Sequence, residues 1–117
     1  MEPNHPPVCC EDGLPEPGPA TDEHLAEVAK ALGHPARIEI LRLFDVCRPH
    51  TAGDIAAHLD LAQSTVSEHL RILREAGVVF ATKDGPWTWY CLRRSILRRF
   101  ADGVADLTAE PLVAAFR

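Results

Sequence analysis

A chain of 117 residues, 46% of them hydrophobic, is enough for one small domain with a core. No apolar run approaches the roughly 20 residues of a membrane span, and the start lacks the basic and apolar segments of a signal peptide, so a cytosolic protein is expected. The net charge of −5 is uneven: residues 1–34 carry −6, residues 35–100 carry +3 and residues 101–117 carry −2. That places the small positive excess in the middle of the chain, too weak an excess to indicate nucleic acid unaided.

Residues 1–20 hold six of the ten prolines and are expected as an extended, polar arm that cannot be helical. The pair Cys9-Cys10 sits inside it, with no packing reason to be there. A folded domain is expected over 21–110, with 111–117 as a tail. The first helix is predicted from about Asp22 to Leu32, where Leu25, Val28, Ala29 and Leu32 make one apolar stripe. Gly33-His34-Pro35 stops it, and Pro35 opens a second helix running to about Val46. Thr51-Ala-Gly-Asp54 reads as a capping box before a third helix that buries Ile55, Ala56 and Leu59. After a turn at Asp60-Leu61, a fourth helix from about Gln63 to Glu75 buries Val66, Leu70 and Leu73 and ends before Gly77.

The period then changes from helical to alternating. Residues 78–82 and 87–92 are rich in β-branched and aromatic residues, and Lys83-Asp-Gly-Pro86 between them is turn chemistry, so a hairpin is predicted. A last helix from about Ser95 carries Ile96, Leu97, Phe100, Val104 and Leu107 at helical spacing. The fold class expected is mainly α with a β-hairpin wing (α+β), a winged helix-turn-helix. So small a domain is marginal alone, and a dimer would bury a second apolar surface.

The start of the fourth helix offers Gln63, Ser64, Thr65 and Ser67 to a DNA major groove: Gln can pair with adenine, and the hydroxyls with base edges or phosphates. The bland reading is an amphipathic helix with its polar side in water; the capped helix before it and the hairpin after it favour groove reading. Arg71 and Arg74, joined by His69, lie a turn further on and suit phosphates, and Lys83 is the wing's expected contact. Arg93, Arg98 and Arg99 read as a solvated face, with Arg94 set apart. No histidine spacing fits a zinc or catalytic site, and no nucleophile–base–orienter set can be assembled, so an enzyme is not expected.

In the cytosol the four cysteines are expected as free thiols or ligands rather than structural disulfides. Cys9, Cys10 and Cys47 offer three thiolates and no hard ligand, which suits a soft ion; trivalent arsenic or antimony takes three sulfurs in a pyramid. The alternative makes Cys47 a small apolar residue at a helix end and Cys9-Cys10 a chance pair. Cys91, placed by strand alternation with Trp89 and opposite Tyr90 and Leu92, is expected on the outer face of the wing as a spectator. A redox pair of Cys91 with Cys47 is the competing thiol-switch reading.

Three blocks now form a pattern: Lys30-Ala-Leu-Gly-His-Pro-Ala-Arg-Ile-Glu-Ile-Leu41; Asp54-Ile-Ala followed by the run from Leu61 to Val78; and Gly85 with Trp89-Tyr-Cys-Leu92. Over residues 25–105 the chain resembles the ArsR/SmtB family of metal- and metalloid-responsive repressors. The resemblance implies a winged-helix homodimer, with the first and last helices at the seam, bound to an imperfect palindrome of double-stranded promoter DNA. It also implies release by an inducer, and base-reading positions at Gln63, Ser64, Thr65, Ser67 and Arg71. Two departures matter. Ala62 stands where the family has a Ser cap, and Thr51 and Gly53 stand where its common Cys-x-Cys would fall. Nor does the last helix offer a zinc site, since Asp102 and Asp106 have no His beside them. What remains resembles the arsenite-responsive subtype, which implies As(III) or Sb(III) as inducer at Cys9, Cys10 and Cys47, with the arm reaching to the other subunit.

Overall fold

The computed structural model describes residues 14–44 and 48–109. Five helices and one hairpin follow in the order α1 (Asp22–Leu32), α2 (Pro35–Arg42), α3 (Ala52–Leu59), α4 (Gln63–Glu75), β1 (Val79–Asp84), β2 (Trp87–Leu92) and α5 (Arg94–Thr108). This is a winged helix-turn-helix, as the sequence predicts. Among the described residues no helix is long and apolar enough to cross a membrane.

The local chemistry that sets the helix ends is visible. Thr21 caps α1 by accepting from the His24 N–H, and His34 Nδ1 caps α2 by accepting from the Ala36 N–H at 3.0 Å. The Thr51–Asp54 capping box forms at the start of α3. Asp60, at φ 53°, makes the left-handed turn between α3 and α4. The end of α4 is a Schellman arrangement: Gly77, at φ 83°, donates to Arg74 and Val78 donates to Leu73.

Helix α2 is shorter than the periodicity suggested. It closes at Leu43, where the N–H groups of Leu43 and Phe44 reach back only three residues, to Ile40 and Leu41. An apolar run promises burial, not helix length, and Phe44 is buried just beyond the last helical turn. The hairpin is longer than expected. The strands pair from Val79↔Leu92 to Asp84↔Trp87, leaving Gly85-Pro86 alone as the loop. Gly85 at φ 61° followed by proline's fixed negative φ is the sign pattern of a type II′ turn. Lys83 therefore lies in β1 opposite Thr88, below the tip rather than at it.

One core holds these elements. Ile40, Ile55, Val66, Leu70, Leu73 and Val78 are fully buried at its centre, where α4 packs on α1, α2, α3 and β1. Ile96 joins α5 to this core at its first turn. Further along, Gly103 lets α5 approach α1: a Cβ there would stand 2.7 Å from Leu25 Cδ1.

Candidate nucleic-acid interface

Helix α4 divides into two faces. Val66, Leu70 and Leu73 point into the core, while Gln63, Ser64, Thr65 and Ser67 are exposed at its first turn. Its N-terminus lacks a side-chain cap because Ala62 has no acceptor to offer. The free N–H groups and the helix dipole make that end attractive to an anion such as a phosphate. Gln63 lies back toward α3, its Oε1 3.5 Å from where a Cβ would stand on Gly53.

One turn later the charged residues are already engaged. Arg71 donates to Glu68 from Nε at 3.0 Å and to Glu75 from Nη1 at 2.7 Å, and all three are exposed. The hydrogen bond from Arg71 holds the Glu68 carboxyl below its ordinary range, and bonding to Glu68 and Glu75 raises the guanidinium's pKa further. Solvated pairs of this kind contribute little to stability, so Arg71 can exchange a carboxylate for a phosphate at small cost. Arg74 and Lys83 are exposed and have no ion-pair partner among the described residues.

His69 is set apart from these groups. Its ring is half-buried against α2, with Nδ1 3.3 Å from Arg37 Nη1 and its centroid 4.8 Å from that of His34. Arg37 in turn donates to the Ala31 carbonyl at 2.6 Å. His69 thus ties α4 to the start of α2. The sequence showed no sign of this link, because nothing in the spacing relates residue 69 to residue 37. The i, i+3 and i, i+4 spacing of Glu68, Arg71 and Glu75, by contrast, was a legible signal for their pairing.

Burial holds the His69 imidazole below its ordinary pKa, with the charges of His34 and Arg37 acting in the same direction against a smaller opposing effect of Glu68. A histidine with a depressed folded pKa binds its proton more readily when unfolded, so stability is lost as pH falls through the unfolded value near 6.5. Thermal midpoints measured from pH 7.5 down to 5 should therefore fall less steeply for His69→Gln than for the unaltered chain. Parallel curves would show that His69 does not contribute to the acid limb.

Cys9, Cys10 and Cys47 lie outside the described residues. Among the described residues no group of three or more His, Cys, Asp or Glu side chains is placed to hold a metal ion. Cys91 corrects two expectations. Tyr90 and Leu92 pack on the core, Leu92 opposite the core residue Val79, so Trp89 and Cys91 lie on the other face of β2, as strand alternation predicts. That face is not open to solvent, however: Cys91 is 1% exposed and Trp89 6%. Nor is Cys91 a free thiol: it is disulfide-bonded. It is also not remote from the exit of α2, since His50 pairs with Tyr90 through two backbone hydrogen bonds of 3.0 and 2.7 Å.

The α5 arginines are not a simple solvated face either. Arg93 donates to the Pro15 carbonyl, Arg99 to the Gly18 carbonyl and to the His24 ring, and Arg94 to the Phe44 carbonyl at 3.5 Å.

The family model described as "Bacterial regulatory protein, arsR family" matches residues 34–80. The HTH-type transcriptional regulator MJ1325 of Methanocaldococcus jannaschii is 41% identical over 68 residues, covering 58% of this chain and 76% of that protein. The HTH-type transcriptional regulator CmtR of Mycobacterium tuberculosis is 47% identical over 77 residues, covering 64% of this chain and 63% of CmtR, so just under two thirds of CmtR is spanned. The solution structure of Mb0332 from Mycobacterium bovis is described as a homodimeric winged helix-turn-helix DNA-binding domain of a possible ArsR-family regulator. It superposes with a TM-score of 0.60 at 28% identity, covering 78% of this chain and 92% of that one.

Proposed function

The chain belongs to the ArsR family of DNA-binding transcriptional regulators, and from that premise we propose a homodimeric repressor that As(III) or Sb(III) releases from promoter DNA. The observation that carries the DNA reading is the division of α4. Its hydroxyl- and amide-bearing first turn, Gln63 to Ser67, is turned to solvent while Val66 and Leu70 anchor the same turn in the core. In this reading Gln63, Ser64, Thr65 and Ser67 face base edges. Arg71, Arg74 and Lys83 meet phosphates and set the register. His69 positions the helix through Arg37 instead of touching DNA.

The metalloid part rests on donor chemistry. With the Cys91 disulfide reduced, three thiolates at Cys9, Cys10 and Cys47 match the three-sulfur pyramid of trivalent arsenic or antimony, and the described residues offer no competing set. Release requires only that the loaded form bind DNA less well. A coupling of about 1–3 kcal/mol lowers affinity by roughly one to two decades. A second reading, a repressor switched by thiol oxidation or persulfide formation, is favoured by one observation: the buried Cys91 is disulfide-bonded.

Both readings are tested by titrating the DNA upstream of the gene with the reduced protein at several salt concentrations. A retarded complex whose affinity falls steeply with salt is expected, reflecting phosphate contacts; absence of any complex overturns the repressor reading. Arsenite should then dissociate the complex, and Cys9→Ser/Cys10→Ser should bind DNA as before but resist arsenite. Release by mild oxidation, lost in Cys91→Ser and insensitive to arsenite, would instead establish the redox switch.

A further inference from the structure

The polar side of α4 carries two carboxylates, an odd provision for a surface that meets a polyanion. Ser64, Glu68, Arg71 and Glu75 follow at steps of four, three and four residues, so they stand in one exposed row along the helix. Ser67, one turn before Arg71, lies beside that row. With His69 neutral, the charges of α4 cancel, Glu68 and Glu75 against Arg71 and Arg74. Within the row itself two carboxylates face a single guanidinium, and all three side chains are more than half exposed.

Helix stability does not account for this arrangement. A carboxylate in the last turn opposes the helix dipole, and an acid four residues after its cation is the weaker order of such a pair. Glu75 is in both situations. What the carboxylates do is occupy Arg71. The two Glu68 oxygens accept from Nε, at 3.0 Å, and from Nη2 side by side, while Glu75 accepts from Nη1 at 2.7 Å. A paired edge of this kind is what a guanidinium offers to two phosphate oxygens. Arg74, three residues on, is exposed and has no ion-pair partner among the described residues. One arginine of the helix end is thus held and the other is open.

We propose that Glu68 and Glu75 determine specificity by holding Arg71 off the phosphates of any duplex on which the first turn of α4 is not seated against matching bases. The proposal rests on the reading of α4 as the helix that faces DNA. Binding to random sequence is almost wholly electrostatic, so a bridged Arg71 and a net negative row subtract from it. On the promoter, base contacts from Gln63 to Ser67 hold the helix in the groove, and phosphate oxygens then replace the carboxylates on Arg71. The exchange is easy because the pairs are solvated. Arg71 therefore counts as a phosphate contact on the promoter and not elsewhere, which widens the gap between the two affinities.

The test is the salt dependence of binding, by fluorescence anisotropy, to a promoter fragment and to a random-sequence duplex of equal length. The full-length reduced chain is compared with Glu68→Gln/Glu75→Gln, which keeps the shape of both side chains, and circular dichroism checks that helix content is retained. On random DNA the double variant should bind several-fold more tightly, and its log–log salt slope should steepen by about 0.9, the value of one phosphate contact. The promoter slope, which already includes Arg71, should not steepen with it, so the preference for promoter falls several-fold. Adding Arg71→Gln to the pair should return the random-DNA slope to its starting value. An equal gain on both duplexes, or a gain that survives Arg71→Gln, would overturn the proposal and leave the DNA reading standing. Absence of any promoter preference in the unaltered chain would overturn that reading, and this proposal with it.

Discussion

Val104→Glu combined with Leu107→Glu is expected to yield a folded monomer whose promoter affinity is about 10²–10⁴-fold lower, the factor that joining two binding modules supplies. These are the large exposed hydrophobics among the described residues, at 40% and 76%. Both lie on α5, where Ile96, Leu97 and Phe100 begin an apolar stripe that the chain covers itself. The stripe continues into solvent at Val104 and Leu107. Alongside it, α1 approaches closely enough at Gly103 for the two helices to form one platform. Two copies joined there would align two recognition helices on successive turns of a duplex, which neither copy can do alone. Glutamate is a good helix former, so the change removes the apolar seam without unwinding α5. Sedimentation velocity would report the mass, circular dichroism the helix content and fluorescence anisotropy the affinity. A dimer of unchanged affinity would place the seam elsewhere.

The features most legible in the sequence were those fixed by neighbours along the chain. The Thr51–Asp54 capping box, the glycine at the end of α4 and the apolar spacing of Val66, Leu70 and Leu73 each depend on contacts within a few residues. The same holds for the exposed first turn of α4, whose polar side follows once its buried side is known. What eluded the sequence depends on distant partners. Strand alternation puts Tyr90 and Leu92 on the core side of β2, but it does not show that the opposite face is covered as well. Trp89 and Cys91 are buried there without joining the central core, and no local pattern in the strand announces that cover. The α5 arginines give the same lesson: their spacing allows a solvated face, but Arg93 and Arg99 meet carbonyls some 80 residues earlier in the chain. Spacing groups His69 with the phosphate candidates Arg71 and Arg74, but its ring lies against Arg37 and His34.

Leu70→Ala carries the largest expected loss of stability. Leu70 is fully buried on α4, the helix that meets α1, α2, α3 and β1, so few neighbours can move to refill the space. Truncations of this kind cost about 2–5 kcal/mol, out of about 5–15 kcal/mol for a whole domain. At about 4–8 °C per kcal/mol for a domain of this size, the thermal midpoint should fall by roughly 8–40 °C. The midpoint of a dimer rises with concentration, so both proteins are compared at equal concentration by scanning calorimetry. Ser67→Ala, on the solvent side of the same helix turn, supplies the control: its stability should stay within about ±0.5 kcal/mol of the original, while its promoter affinity falls through loss of a groove contact. If Ser67→Ala instead unfolded the protein and Leu70→Ala did not, the two faces of α4 would have to be exchanged, and with them the surface that meets DNA.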